Sequence, residues 1–515
     1  MPELISANRH QLVLGCMEEL IEKDNPVRFI DAFVDKLELV ELKFQIAESK
    51  AEGRPSFNPK ILLKLYFYGY LNGIRSSRRL EKEAIRNVEL HWLLGRLQPN
   101  YHTIADFRKD NPVALKNTFR LFVAFLKDLD LIGGSVVAID GTKFRASNSK
   151  KHTYNQKKIE RHLAYIEEKT RQYLKELDQN DAAEQSPEKV SDIGEKMERL
   201  KTARIKYETL EKQLTETIEP QISTTDADAR ALLIHGQVVE VSYNQQAAVD
   251  AKHKLVVATH TINRNDRNAL TDIAQQALDA TGSDAMTILV DKGYHNGKQL
   301  QNCQKVGIET IVSVPELVNT NRTGTQPDYL VDKFHYDPVQ DTYTCPQGEL
   351  LKTKGTWHQK KRELNVGYQF KKYRSPACRS CPVRDQCTGR QDGSREIERS
   401  EYAEAVEANA QNYRAGKALY RKRQEINEHI FGTIKRQWGY NHTNLRGLEK
   451  VNGEMALVMT VYNLKRLLNI LKFEEIMQKL NHWKPVYPKG AMFYQNRHII
   501  NLLEHFKFYS LAFAA

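Results

Sequence analysis

Val136-Val137-Ala138-Ile139-Asp140-Gly141-Thr142 and its counterpart Met286-Thr287-Ile288-Leu289-Val290-Asp291 decide the fold. Each is a β-branched, apolar run that arrives at an aspartate with a glycine close behind, the pattern of a buried strand that ends at a turn. Around them, strand-like runs recur at 238–243, 246–250, 255–262 and 310–314, and helical patterns at 268–279 and 297–306. Antiparallel strands, then helix, strand, helix and strand, predict an α/β sheet; periodicity alone leaves several mixed folds open.

Upstream, residues 1–130 read as a helical domain. Asn58 is placed to cap a helix with Pro59 at its first position, and Ile61, Leu62, Leu65, Tyr66 and Tyr68 form a broad apolar face. Ser77-Arg78-Arg79-Leu80 opens another helix, Trp92, Leu93 and Leu94 add core, and Thr103 with Asp106 resembles a capping box. Arg75, Arg78, Arg79, Lys82, Arg86 and Arg108 decorate these short helices, which suits a helix-turn-helix DNA reader and equally a bundle with a solvated basic face.

Downstream of the first part of the core, 131–149, the heptads Ile159, Ile166, Tyr173 and Ile193, Leu200, Tyr207, Leu214, flanked by Leu163 and Leu177, predict an antiparallel coiled-coil insertion over 150–220, with a polar turn at 181–187. The core resumes over 221–325. Residues 326–395 are short on pattern and rich in cysteine. A helical segment, 396–475, completes the core, and 476–515 form a tail without clear pattern.

Magnesium takes oxygen ligands and usually one or two protein carboxylates, so Asp140 and Asp291 at the ends of adjacent strands would share an ion. Singly, either is ordinary turn chemistry. In the late helix, Ile426, Ile430 and Ile434 form a stripe for the sheet, with Glu428 beside it and Arg421 and Lys435 on nearly the same face as Glu428. A plain surface ion-pair array would look the same. Cys378 and Cys381 have knuckle spacing, and with Cys345 and Cys387 they make a candidate structural Zn²⁺ set. Loose cysteines in a basic loop are the alternative; Cys16 and Cys303 read as core residues.

Six cysteines in 515 residues do not suggest a disulfide scaffold. No apolar run is long enough to span a membrane, and the start lacks the order of a secretory signal, so a reducing cytoplasm is expected. Lys and Arg exceed Asp and Glu by 77 to 65, a net +12 that favours an anionic partner.

The chain resembles the DDE transposases of bacterial insertion sequences. The resemblance rests, in order, on LYFYGYLNGIRSSRRLEKEA, HTIADFRKDN, AIDGT, SYNQQAAVDAKHKLVV, VDKGYHNG, YRSPACRSCPVRDQC and NEHIFGTIKRQWG. It implies a ribonuclease H-like core with Asp140, Asp291 and Glu428 as a metal-binding catalytic triad for Mg²⁺ or Mn²⁺. Many relatives separate the arginine from the glutamate by three residues; here four separate Arg423 from Glu428, which leaves Glu425 in reserve. Tyr420, Arg423, Lys435 and Arg436 are implied DNA contacts, while Asp250 and Asp266 read as supporting or turn residues. The implied activity is cleavage and strand transfer at terminal inverted repeats by a homodimer. The alternatives are a non-catalytic DNA-binding descendant and a nuclease that hydrolyses without joining.

Overall fold

Asparagine caps set up the N-terminal helices. In a computed structural model that describes residues 16–46, 56–182, 187–217, 220–235, 238–315, 325–362, 365–390 and 394–487, Asn25 and Asn58 accept from the second amides of α1 (Pro26–Asp35) and α2 (Pro59–Leu71), each of which opens on proline. α3 (Ser77–Arg86), α4 (Val88–Leu93), α5 (Tyr101–Asp110) and α6 (Pro112–Asp128) complete a helical layer. The expected capping box gives way to Asn100, which accepts from Thr103 N at 2.9 Å and starts α5 earlier. Asn100 offers the capping acceptor ahead of Tyr101, so Thr103 lies inside the helix. Arg108 is not on a basic face: it is buried and donates to Tyr70 Oη at 2.7 Å.

β1 (Val136–Arg145) does not stop at Asp140 but continues for five residues. β2 (Thr153–Tyr154) and β3 (Ile222–Ser223) pair at the base of two long helices, α7 (Gln156–Ala182) and α8 (Pro187–Thr217). Gln156 at the start of α7 donates to Glu211 near the end of α8 at 2.8 Å, so the helices run antiparallel. Ile159, Ile166, Ile193, Leu210 and Leu214 are buried. The centre of the expected polar turn, 183–186, lies outside the described residues.

β4 (Arg230–His235) was not foreseen, and the two strands expected at 238–243 and 246–250 are one, β5 (Val238–Asp250). Asn244 and Gln245 interrupt the apolar run without breaking the strand, because both are buried and hydrogen-bonded. β6 (Val256–Ile262), α9 (Leu270–Thr281), β7 (Met286–Val290), α10 (Gly297–Lys305) and β8 (Ile308–Val312) follow. The six-stranded sheet runs β4-β5-β1-β7-β8, with β6 also on β5; β5 is antiparallel to β4, β6 and β1, and β1, β7 and β8 are parallel.

The cysteine-bearing region expected to lack pattern is a second six-stranded sheet: β9 (His335–Asp337), β10 (Thr342–Thr344), β11 (Leu350–Thr353), β12 (His358–Arg362), β13 (Asn365–Arg374) and β14 (Ile397–Ser400), with a helical turn, α11 (Arg384–Cys387). Phe334, Tyr343, Leu351, Tyr373 and Ile397 form its core. The chain returns through α12 (Ala403–Ala415), α13 (Lys417–Gly432), a π-helical turn over Thr433–Gln437, α14 (Leu448–Ile470) and α15 (Phe473–His482).

α14 lies between the helical layer and β6, with nearly every residue from Val451 to Leu464 buried. Asparagines cover both parallel-side and antiparallel-side edges of the first sheet. Asn463 accepts from Val256 N and donates to Val256 O, both at 2.8 Å; Asn409 does the same for Val312 at 2.8 and 3.0 Å. Edge amides and carbonyls that would otherwise be orphaned are thereby satisfied. Cys303 is buried as expected, but Cys16 is exposed. Among the described residues no helix is long and apolar enough to cross a membrane. Of the tail expected over 476–515 without pattern, 476–482 belong to α15, and the part from 488 onward lies outside the described residues.

Candidate active site

The parallel ladder between β1 and β7 pairs Ala138 with Leu289, and two residues further along each strand stand Asp140 and Asp291. The register, carried on past the ladder, brings both aspartates to one end of the sheet, where Asp291 acts electrostatically on Asp140. Gly141 N donates to Asp140 Oδ1 at 2.8 Å, and Gly293 N to Asp291 Oδ1 at 2.8 Å. Burial pushes the Asp140 pKa up to about 6, against the pull of the Gly141 amide and of the Arg423 guanidinium; Asp291 and Asp266 add to the rise. A desolvated carboxyl among like charges is a place where a cation is stabilised.

Asp266 approaches the pair from the loop after β6. Its carboxylate accepts from Asn244 Nδ2 at 2.8 Å, Gln246 Nε2 at 2.9 Å and Lys143 Nζ at 3.1 Å. Burial raises its pKa, but Lys143 and the two amides outweigh burial and leave it lowered. The other end of Gln246 accepts from the buried Tyr294 hydroxyl. Gly141 sits against this network: a β-carbon there would collide with Gln246 Nε2 and Asp266 Oδ1 and lie 3.0 Å from Tyr294 Oη. That contact explains the glycine after Asp140. Sequence reasoning did not find this network, because Gln246, Asp266 and Tyr294 come from three separate segments.

On α13, Arg423 is the residue whose charge acts most on Asp140. It is half-buried, stacks on Tyr420 at 5.7 Å, and its Nε is buried without a partner. Glu428 is exposed, next to Asn427, which is buried with neither amide atom hydrogen-bonded. Glu425 is exposed and pairs with Lys254 at 2.9 Å. Lys435 turns inward: its Nζ donates to Thr142 Oγ1 at 2.7 Å and to Lys143 O at 2.6 Å, and burial lowers its pKa to about 8. Arg421 and Arg436 face solvent. Asp250 is a turn anchor, accepting from Gly133 N, Gly134 N and Lys252 N at 3.1, 2.7 and 2.9 Å.

Cys345, Cys378, Cys381 and Cys387 line one cavity beside Arg395. Burial raises the Cys387 pKa; Arg395 opposes the rise and the other three cysteines add to it. Among the described residues, no group of three or more His, Cys, Asp or Glu side chains is drawn together closely enough to hold a metal ion.

Residues 344–468 match a family model described as "Transposase DDE domain", and residues 15–110 one described as "Transposase domain (DUF772)". The first match contains Glu428, Lys435 and the four late cysteines. A chain of the cryo-EM structure of a piggyBac transposase synaptic complex with hairpin DNA matches at 9% identity and a TM-score of 0.26, covering 93% of this chain and 89% of that chain. The low score means that the two do not superpose as whole chains. No curated protein matches.

Proposed function

We propose that this chain, an insertion-sequence DDE transposase and hence an enzyme of DNA transposition, uses Asp140 and Asp291 with Glu428 to cut its element's ends and join them to target DNA. The observation that carries the reading is the side-by-side register of Asp140 and Asp291 beyond the β1–β7 ladder.

DDE transposases work with divalent metal. The residues fit such an ion: two oxygen-donor carboxylates converge, one of them desolvated, and Asp266 lies next to them with its own oxygens already engaged. Asp140 and Asp291 would hold Mg²⁺ or Mn²⁺, which when bound activates the attacking oxygen and stabilises the leaving one. Arg423 would orient the scissile phosphate next to Asp140. Arg436 and Tyr420 would extend that contact, and Lys435 would fix β1. The Tyr294–Gln246–Asp266 chain would hold Gly141, and with it Asp140, in place.

Glu428 is exposed in this structure, so a local rearrangement of α13 would have to bring it to the two aspartates. The unpaired amide of buried Asn427 and the π-helical turn that follows mark the segment where such a change would fall.

We read the first sheet as the ribonuclease H-like core; its antiparallel strands leading into parallel ones support this. The division of the chain at 130, 149, 220, 325, 395 and 475 follows the same reading. α7 and α8 would be a coiled-coil clamp or dimer contact, and the helical layer would read the terminal repeats. The four cysteines would take a structural Zn²⁺: their shared cavity supports this, though the thiols would have to close on the ion.

The test is cleavage and strand transfer of DNA carrying the element's ends, with Mg²⁺ or Mn²⁺. Wild type is compared with Asp140→Ala, Asp291→Ala, Glu428→Ala, Glu425→Ala and Asp266→Asn. Joined products that vanish in the first three and survive Glu425→Ala are the expected result. Full activity of Asp140→Ala would overturn the metal-carboxylate reading, and cleavage without joining by the wild type would make the enzyme a nuclease.

A further inference from the structure

The connection from the π-helical turn to α14, residues 440–447, is pinned by hydrogen bonds to buried acids and with β1. Tyr440 Oη donates to the fully buried Glu454 carboxylate, which also accepts from Asn444 N at 3.1 Å, Asn444 Nδ2 at 3.0 Å and Leu445 N at 3.0 Å. Asp226, buried, accepts from Gly447 N at 3.1 Å, and Asp228, half-buried, from Leu448 N at 2.7 Å. The same loop joins the outer end of β1: Arg145 N donates to Asn441 O at 3.1 Å, and Thr443 N to Arg145 O at 2.9 Å. Desolvating carboxylates is costly unless they are fully satisfied, and a plain connection needs none. Something is gained by fixing this backbone.

What the loop presents is basic. His442, Asn444 and Arg446 are exposed, as is the Arg145 side chain. Arg446 is aimed by one bond, Nε to Ser147 O at 3.1 Å, which leaves its two terminal nitrogens for another acceptor. Arg75, from the helical layer, lies with its guanidinium 4.3 Å from the Tyr440 ring centre, and its Nη1 is buried without a partner. Burial and then Arg75 lower the pKa of His442, with Glu454 opposing and Arg145 adding, so these groups lie together. Glu240 takes Arg145 at 3.0 Å and buried Glu454 faces Arg108 at 3.9 Å, while Asp226 and Asp228 accept from the Gly447 and Leu448 amides. Arg446, exposed, is the arginine of the loop that keeps its terminal nitrogens for a phosphate.

We infer that residues 440–447, with Arg145 and Arg75, form a preorganised contact for the phosphate backbone of duplex DNA. The contact lies on the strand that carries Asp140, between the candidate active site and the helical layer. The inference rests on the DNA-transposase reading and deepens it: a duplex gripped here is fixed relative to β1, because the loop and the strand share backbone hydrogen bonds. Positioning by pinned backbone makes the contact geometric as well as electrostatic.

The experiment is binding of a fluorescently labelled linear duplex of random sequence across a salt titration. Wild type is compared with Arg446→Gln, Arg145→Gln, the double variant, Glu454→Gln, and Lys479→Gln on α15 as a charge control. Each lost phosphate contact lowers the slope of log affinity against log salt by about 0.9. Arg446→Gln is expected to lose about one such step, with weaker binding at low salt and convergence at high salt, and the double variant, in which Glu240-paired Arg145 is also removed, at least as much. Glu454→Gln, which removes no surface charge, is expected to weaken binding in the same direction; should it fail to fold, the arginine variants decide alone. Wild-type slope and affinity in the folded double variant, or an equal loss in Lys479→Gln, would overturn the inference. Asp140→Ala run in parallel on duplex carrying the element's ends separates the two claims: DNA that the wild type cuts and the variant binds without cutting supports the catalytic reading, whereas cutting by that variant sinks the reading and leaves the loop to its own binding result. A wild type that binds no duplex would overturn both.

Discussion

Lys435 Nζ donates to Thr142 Oγ1 at 2.7 Å, two residues beyond Asp140 on the same strand. A lysine from the glutamate-bearing segment is therefore committed to the outer half of β1, where the ring of Phe144 also lies 4.9 Å from its ammonium. The consequence is measurable against pH. Burial, and secondarily Lys143, lower the Lys435 pKa to about 8, against the opposing pull of Glu240. Between that value and the unfolded one, near 10.5, the unfolded chain binds more protons, so this group's contribution to stability rises with pH over that window. The stability of wild type relative to Lys435→Met, from chemical denaturation, should grow by on the order of 1–3 kcal/mol from pH 8 to pH 10. A difference that stays flat, with a large loss of DNA affinity in the variant, would return Lys435 to a phosphate contact.

Asp140 gives the opposite sign. Its pKa is raised to about 6, chiefly by burial. Its contribution is fully present below the unfolded value near 3.9 and is lost as pH rises through about 6. Asp140→Asn keeps the shape and removes that loss. The variant should therefore be more stable than wild type at pH 7, by about 1–3 kcal/mol in the metal-free protein, and equal to it near pH 4. It should also be inactive. Parallel melting curves at the two pH values check this, and a variant less stable at neutral pH would show that Asp140 is held by contacts stronger than its desolvation.

How much of this was legible in the sequence depended on range. Asp140 and Asp291 stood out through their own neighbours, and the parallel register brings both to one end of the sheet. The continuity of β5 was hidden, because Asn244 and Gln245 look like a break until Arg264 and Thr259 supply their partners. The second sheet was hidden for a similar reason: its strands are short and polar, and only Tyr343, Leu351 and Tyr373 meeting from different strands make a core. At the candidate site, the position of Arg423 next to Asp140 and the engagement of Asp266 by three donors depend on tertiary contacts that no local pattern encodes.

The edge asparagines show how such contacts support the site. Asn409 and Asn463 each satisfy both backbone groups of one buried valine, Val312 and Val256, on opposite edges of the sheet. Truncation leaves a donor and an acceptor unpaired, at about 1–3 kcal/mol for each group. Asn409→Ala and Asn463→Ala should each destabilise by about 2–4 kcal/mol in denaturant titrations. Asn452→Ala, which removes a single longer bond to Thr261 N at 3.3 Å, should lose less. Equal effects in all three would mean that water replaces the lost side chains at the edges.

Gly141 offers the sharpest separation of positioning from binding. A methyl group there would meet Gln246, Asp266 and Tyr294 at once, and all three belong to the network behind the Asp140 carboxylate. None of them reaches DNA in the proposed arrangement. Gly141→Ala should thus displace Asp140 and lower cleavage by about 10²-fold, the order expected when a catalytic group moves by about 1 Å, while affinity for duplex DNA is unchanged. The partner variant Gln246→Ala removes the amide that the methyl would strike. If collision is the cause, the double variant Gly141→Ala/Gln246→Ala should cleave faster than Gly141→Ala alone, a coupling that independent sites do not show. Additive losses would instead assign the effect to backbone conformation at residue 141, and the network would then support the strand without setting the position of its acid.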